Sequence, residues 1–290
     1  MSLPSLGDYC IPENTAEAIA LLDQYGESAM IVAGGTFVHG LEVRGLLDGV
    51  EALIDIGHLE LDQIEENGSG LRLGATAIFA DLLETPAIRS SAACGAIIDA
   101  LGYPPAQIQN VGTVAGCLAA SAPLYDLPGA LLALDGVAEV IGPAGQRDIA
   151  LGDFFTGLFE NALASNELIT AVTIPAFSES TTSAFLKLET NANDLAIVNV
   201  AVRFSQNGEQ CADSRIVVGG GVGETYVRAI GAEAVLNGSP PEAASFTAAA
   251  EAAAGEVDPV SDHRGSAAYR RHIVKIFTRR ALENALARSN

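Results

Sequence analysis

The stretch MIVAGGTFVHG, residues 30–40, constrains the fold of this chain more tightly than any other. A β-branched apolar run is the pattern of a buried strand. Here it ends in two adjacent glycines, Gly34 and Gly35, followed by Thr36. Such a pair at a strand end serves either a tight turn or a close approach of the backbone to another group. VGTVAG (111–116) again combines small residues with a threonine, Thr113. Exposed backbone N–H groups beside glycines bind anionic oxygens, and a threonine hydroxyl adds a donor. Asp126, suited to accepting from a hydroxyl, follows. Two such loops favour an anionic ligand, although a pair of plain turns stays open on these residues alone.

A chain of 290 residues exceeds what one hydrophobic core usually organises, so two or three domains are expected. Hydrophobic residues make up 49% and the mean hydropathy is +0.30, values that exclude a disordered polymer. Charges and glycines interrupt every apolar run short of the ~20 residues that span a bilayer. No basic and then apolar leader opens the chain, and a cytoplasmic protein is expected. Fifteen basic against 36 acidic side chains give a net charge of −21, which repels nucleic acid. Cys10, Cys94, Cys117 and Cys211 are scattered, as are His39, His58, His263 and His272, so no metal site is predicted. GGGVGE (219–224) follows a strand, but a dinucleotide fold needs its glycine fingerprint near the start of a parallel βαβ array. It reads as a strand-end turn. Neither G-x-S-x-G nor a recognisable Cys–His spacing is present, and no catalytic side chain is assigned.

Asn14, with Glu17 three positions on, predicts a capped helix over 14–25 that Gly26 stops. Strands are predicted at 29–33, 52–57, 70–75, 137–142 and 167–175, and helices at 77–85, 92–101 and 127–134. After a polar linker at 178–183 the texture changes. Three strands (183–189, 195–205, 213–221), two helices (224–237, 242–254) and a long final helix follow. The first part reads as α+β, and the second as an antiparallel sheet with helices. In the final helix Tyr269, Ile273, Ile276 and Phe277 share a face expected to be buried. The segment 262–288 carries seven of the fifteen basic residues, suited either to an acidic partner or to a solvated helix face.

Five segments occur in the order expected of one family: IVAGGTFVHG, QIQNVGTVAGCLAASAPLYDLPGALLALDG, ELITAVTIP, FLKLETNANDLAIVNVAV and DHRGSAAYRRHIVKIFTRRAL. Over essentially its whole length the chain resembles the FAD-binding medium subunit of molybdenum hydroxylases, the xanthine dehydrogenase and aerobic carbon monoxide dehydrogenase group. The resemblance implies an α+β fold. An FAD-binding domain of the p-cresol methylhydroxylase type would span 1–177 in two subdomains split near 57. A C-terminal domain characteristic of these subunits would span 183–290. The resemblance also implies that the backbone of Ile31, Val32, Ala33, Gly34, Gly35, Thr36, Phe37 and Val38 wraps the FAD diphosphate. Gly112, Thr113, Gly116 and Cys117 would form the second loop, and Asp126 would bond an FAD hydroxyl. Ile169 would pack near the adenine or ring system, and Lys187 would lie at the flavin edge. Apart from the resemblance, Ile169 reads as a core residue and Lys187 as an exposed strand lysine.

There are departures. Ala115-Gly116-Cys117 stands where the family usually has Gly-Gly-Asn, and QIQN where Gln-Ile-Arg-Asn is common. Asn191 holds a place where an arginine often follows the lysine. No cysteine-rich insertion follows the second loop, so no four-iron cluster is expected. The implied partners are a molybdopterin large subunit and a small subunit with two two-iron two-sulfur clusters, in a heterotrimer that usually pairs. Noncovalent FAD would serve electron transfer to an acceptor that the sequence does not name. Two alternatives stay open: a stand-alone FAD oxidoreductase of the same fold, and a flavin-free scaffold subunit.

Overall fold

The computed structural model describes residues 6–192 and 194–289. The first helix forms where its capping residues predict. Asn14 accepts from the Glu17 N–H at 3.0 Å, Glu17 accepts from the Glu13 N–H at 2.7 Å, and Gly26 at φ +52° ends helix Thr15–Tyr25. Ala18 and Leu22 bury this helix against Ile54 of a three-stranded parallel sheet and Ile56 just beyond its central strand. Its order is Asp8–Cys10, Ala52–Asp55, Ala29–Val32. Parallel neighbours need a crossover, and the segment joining Ala29–Val32 to Ala52–Asp55 contains helix Thr36–Val43. The glycine pair is therefore the strand-to-helix junction of a βαβ unit.

A five-stranded antiparallel sheet follows, ordered Ile64–Asn67, Gly70–Gly74, Leu168–Pro175, Val137–Gly142, Gly145–Ala150. The three central strands match the predicted ones. The two edge strands are polar and mostly exposed, so apolar alternation gives no sign of them. Helices Phe79–Glu84, Gly95–Leu101, Val114–Ala119 and Leu127–Ala133 share one core with this sheet, built on Leu73, Ile97, Leu131 and Phe154.

The last sheet has four antiparallel strands: Thr181–Leu188, Val198–Asn207, Gln210–Gly220 and Val227–Arg228. Helices Ile230–Leu236, Ala243–Glu256 and Ala267–Arg288 cover one face, where Val200, Val202, Phe204, Phe246 and Leu282 meet. Side chains alternate between faces, so Phe185, Ala201 and Val217 point the other way, into the core of the preceding layer. Burial on both faces explains the almost unbroken apolar run in LAIVNVAV. The same inward face carries Lys187, Asn199 and Arg203, all buried. Arg203 and Arg215 both bond Asp135 at 2.8 Å and fasten the layers together.

The final helix departs from its expected face. Ile273 is buried and Ile276 and Phe277 are half-buried, but Tyr269 is 45% exposed. Arg270 takes the inward position instead, bonding the Ile197 carbonyl at 3.2 Å and Asp262 at 2.6 Å. Ranking positions by hydrophobicity fails where a paired arginine is buried. Of the seven basic residues in 262–288, Arg264, Arg270, Lys275, Arg279 and Arg288 form ion pairs within the chain. Among the described residues, no helix is long and apolar enough to cross a membrane.

Candidate ligand cavity

A cavity of about 550 Å³ lies where the three layers meet. Ile31, Ala33, Gly34, Gly35, Thr36, Phe37, Val38, Gly112, Thr113, Gly116, Cys117, Asp126, Ile169 and Lys187 all line it. Val32 stays in the sheet, its carbonyl accepting from the Ile56 N–H at 2.9 Å. Ile169 borders the cavity beside a bulge in its strand, a device that re-aims a side chain.

The two glycine loops meet here but are built differently. Gly35 adopts φ +70° and caps helix Thr36–Val43. The first intrahelical bond runs from the His39 N–H to the Gly35 carbonyl, so the N–H groups of Thr36, Phe37 and Val38 precede it. Together with the helix dipole they form an anion-binding end. A Cβ on Gly35 would meet only Val32 Cγ1, at 4.0 Å, so the space above it belongs to the cavity. A Cβ on Gly34 would fall 1.7 Å from the Val111 carbonyl oxygen, because the second loop lies directly against it.

In that second loop the amides of residues 114–117 are already engaged. Val114 donates to the Ala77 carbonyl, Ala115 to the Ala75 carbonyl and Cys117 to the Thr113 carbonyl. Gly116 donates to Thr113 Oγ1 at 3.2 Å, so this hydroxyl caps helix Val114–Ala119. The Cys117 thiol donates to the Val114 carbonyl, and burial pushes its pKa up far from the range of a reactive thiolate.

The cavity wall also holds a buried ion pair. Asp126 Oδ2 accepts from Lys187 Nζ at 2.8 Å, while Oδ1 has no partner. Burial pushes the Asp126 carboxyl up to about 6 even though Lys187 pulls it down. Lys187 has a side chain only 3% exposed, so the reading as a surface lysine is corrected. It is inward because Lys187 shares the face of Phe185, toward the preceding layer.

Asn199 and Tyr226 fix this corner, and sequence reasoning singled out neither. Asn199 Nδ2 donates to the carbonyls of Pro123 (3.3 Å) and Tyr125 (3.1 Å). The Tyr226 hydroxyl reaches the carbonyls of Ala122 (3.0 Å) and Tyr125 (2.9 Å). Both bear on the segment that delivers Asp126. A lone amide in an apolar strand was a usable signal for Asn199, since a buried amide requires partners. Tyr226 carried none.

The arrangement has room for an anionic group at the first loop and an unpartnered acceptor, Asp126 Oδ1, for a hydroxyl. The unpartnered oxygen and the open space over Gly35 both fit the diphosphate and hydroxyl groups of FAD.

Two family profiles match the chain: "FAD binding domain in molybdopterin dehydrogenase" over residues 4–177, and "CO dehydrogenase flavoprotein C-terminal domain" over residues 183–285. The nicotine 6-hydroxylase medium subunit of Paenarthrobacter nicotinovorans is 34% identical, over 100% of both chains. The carbon monoxide dehydrogenase medium chain of Hydrogenophaga pseudoflava is 32% identical, over 99% of each. A solved structure of carbon monoxide dehydrogenase from H. pseudoflava superposes with a TM-score of 0.92, covering 98% of each chain at 32% identity. Quinoline 2-oxidoreductase from Pseudomonas putida 86 gives a TM-score of 0.90 at 25% identity, covering 100% of this chain and 99% of that one.

Proposed function

This chain belongs to the FAD-binding flavoprotein family of molybdopterin dehydrogenases, and from that premise we propose that it is the FAD-carrying electron-transfer subunit of a molybdenum-containing hydroxylase. The observation that carries the reading is a cavity lined by two unlike groups. One offers the N–H groups of Thr36, Phe37 and Val38, and the other a buried carboxylate with an unpartnered oxygen. In this reading the backbone of 31–38 holds the diphosphate, flanked by Gly112, Thr113, Gly116 and Cys117. Asp126 accepts from a hydroxyl, Ile169 packs near the adenine or ring system, and Lys187 stands near the flavin edge. We read 1–177 and 183–290 as the FAD-binding and C-terminal domains.

When bound, FAD supplies the redox chemistry, taking electrons from a partner's iron–sulfur clusters and handing them to an external acceptor. The chain's own work is to bind, orient and shield the cofactor, and it needs no acid or base of its own. The partners are a large molybdopterin subunit and a small two-iron two-sulfur subunit, in a heterotrimer that pairs.

Co-expression with the cognate subunits tests this. The three chains are expected to copurify with FAD that is reduced by the large subunit's substrate and released when the protein is denatured. The lone chain should show little turnover. Chains that elute separately at micromolar concentration, with no flavin reduction on mixing, would overturn the subunit reading. A protein that stays colourless with added FAD would overturn the cofactor.

A further inference from the structure

The Lys187 ammonium has contacts on three sides. It bonds Asp126 Oδ2 at 2.8 Å, faces Glu189 Oε2 at 3.3 Å and lies 4.9 Å from the centroid of the Tyr103 ring. Tyr103 is itself fixed: its hydroxyl accepts from the Lys187 backbone N–H at 3.1 Å, and its ring packs edge-on against Phe185. Glu189 Oε2 is buried without a hydrogen-bond partner, so only charge holds it beside the lysine. Asp126 and Lys187 line the cavity, whereas Glu189 and Tyr103 do not. Glu189 can therefore reach a ligand only through Lys187 and through its own field.

We propose that Glu189, from behind the cavity wall, sets the reduction potential of the bound flavin through the charge it adds to the Lys187–Asp126 corner. This rests on the reading of the cavity as an FAD site. Two carboxylates around one ammonium give the corner a net charge of −1 at pH 8. Reduction adds negative charge to a flavin, and a nearby negative charge in a poorly screened interior opposes it. Losing the Glu189 charge therefore moves the potential upward, because the corner becomes neutral while Lys187 keeps its bond to Asp126.

Spectroelectrochemical titration of the FAD-loaded chain at pH 8 tests this without any turnover. Glu189→Gln is expected to favour the reduced flavin by tenfold or more, ~30 mV for a two-electron couple. Glu189→Asp, which restores the charge, should stay at the wild-type midpoint. If Glu189→Gln does not hold FAD, Glu189→Ser removes the same charge and is read the same way. A wild-type chain that takes up no FAD defeats the cofactor reading. A wild type that binds FAD, with an uncharged variant at the same midpoint, defeats only the role of Glu189.

Discussion

The loops at 32–38 and 111–117 read alike in sequence, each pairing glycine with threonine beside a strand, yet they do opposite things. In the first, Gly35 at φ +70° starts a helix whose leading N–H groups face a cavity. In the second, the amides of Val114, Ala115, Gly116 and Cys117 are all consumed within the protein. One loop presents donors; the other is a wall that the first leans on. The threonines divide in the same way. Thr36 opens a helix, whereas Thr113 spends its hydroxyl as a cap. A glycine–threonine signature therefore marks where backbone must come close, but the partner can be another loop as readily as a ligand.

Exchanging the glycines of the first loop gives the sharpest test of this division, and the largest effect. Gly34→Ala puts a Cβ 1.7 Å from the Val111 carbonyl oxygen, a backbone atom that cannot swing aside. Parting the loops should cost about 1–3 kcal/mol, as overpacking does. The melting temperature should fall, and FAD affinity should drop more than tenfold with it. Gly35→Val meets no protein atom closer than 4.0 Å, so its side chain grows into the cavity. There the left-handed backbone costs about 1–2 kcal/mol, with affinity falling more than the melting temperature does. Calorimetry and FAD titration on both variants decide it. A Gly34→Ala protein that binds FAD normally would show that the loops do not depend on each other.

The comparison also says where pH sensitivity must originate. Across 33–38 and 111–117 the only titratable side chain is Cys117, whose pKa burial raises beyond reach. Of the carboxylates that line the cavity, burial raises Asp126 to about 6, while hydrogen bonds and ion pairs lower Glu167 and Asp194. Dependence between pH 5 and 7 is therefore expected from Asp126, beside Lys187 and Glu189. A ligand hydroxyl donating to Oδ1 prefers the carboxylate, so binding lowers that pKa and releases a proton. Affinity should be flat above about pH 7 and weaken below about 6, by at most tenfold per unit for one proton. In the FAD-free chain the sign reverses. A carboxyl raised above its unfolded value favours folding at low pH, and that contribution is lost as pH rises through about 6. Asp126→Asn should flatten the binding profile; a slope that survives it would place the titrating group in or beside the loops.

Much of the scaffold was legible, for a reason visible in the residues themselves. Strands such as Leu168–Pro175 and Val198–Asn207 are buried, so their composition records their environment. The edge strands Ile64–Asn67 and Gly145–Ala150 are set by pairing with a neighbour, which leaves no apolar pattern. Helix Thr36–Val43 was hidden because Gly-Gly followed by a threonine and apolar residues reads as a turn. The candidate site was legible one loop at a time, with family resemblance joining the pieces. Composition could not show that Lys187 crosses 61 positions to meet Asp126, nor that it would be buried there. That contact depends on which face of the C-terminal sheet packs inward, a tertiary outcome. Tyr226 illustrates the limit: its hydroxyl holds the backbone before Asp126, and nothing around it in sequence says so.

The smallest expected effect is also the one that asks most directly whether the second loop is only a wall. Thr113 Oγ1 accepts from the Gly116 N–H and caps helix Val114–Ala119. Thr113→Ala should therefore cost stability, about 1 kcal/mol for a lost helix cap. Any loss of FAD affinity should follow indirectly, through a loosened loop, and stay below tenfold. Were the hydroxyl itself a donor to the ligand, the loss would be about 0.5–1.5 kcal/mol of binding, which overlaps in size with the indirect effect. Alanine alone cannot separate the two; asparagine caps helices as well as threonine and replaces the hydroxyl by an amide, so a loss of affinity that persists in it belongs to the hydroxyl. Thr113→Asn is expected to recover both the stability and the affinity lost in Thr113→Ala. If it recovers stability while affinity stays low, the hydroxyl contacts the ligand, and the second loop supplies donors as the first does.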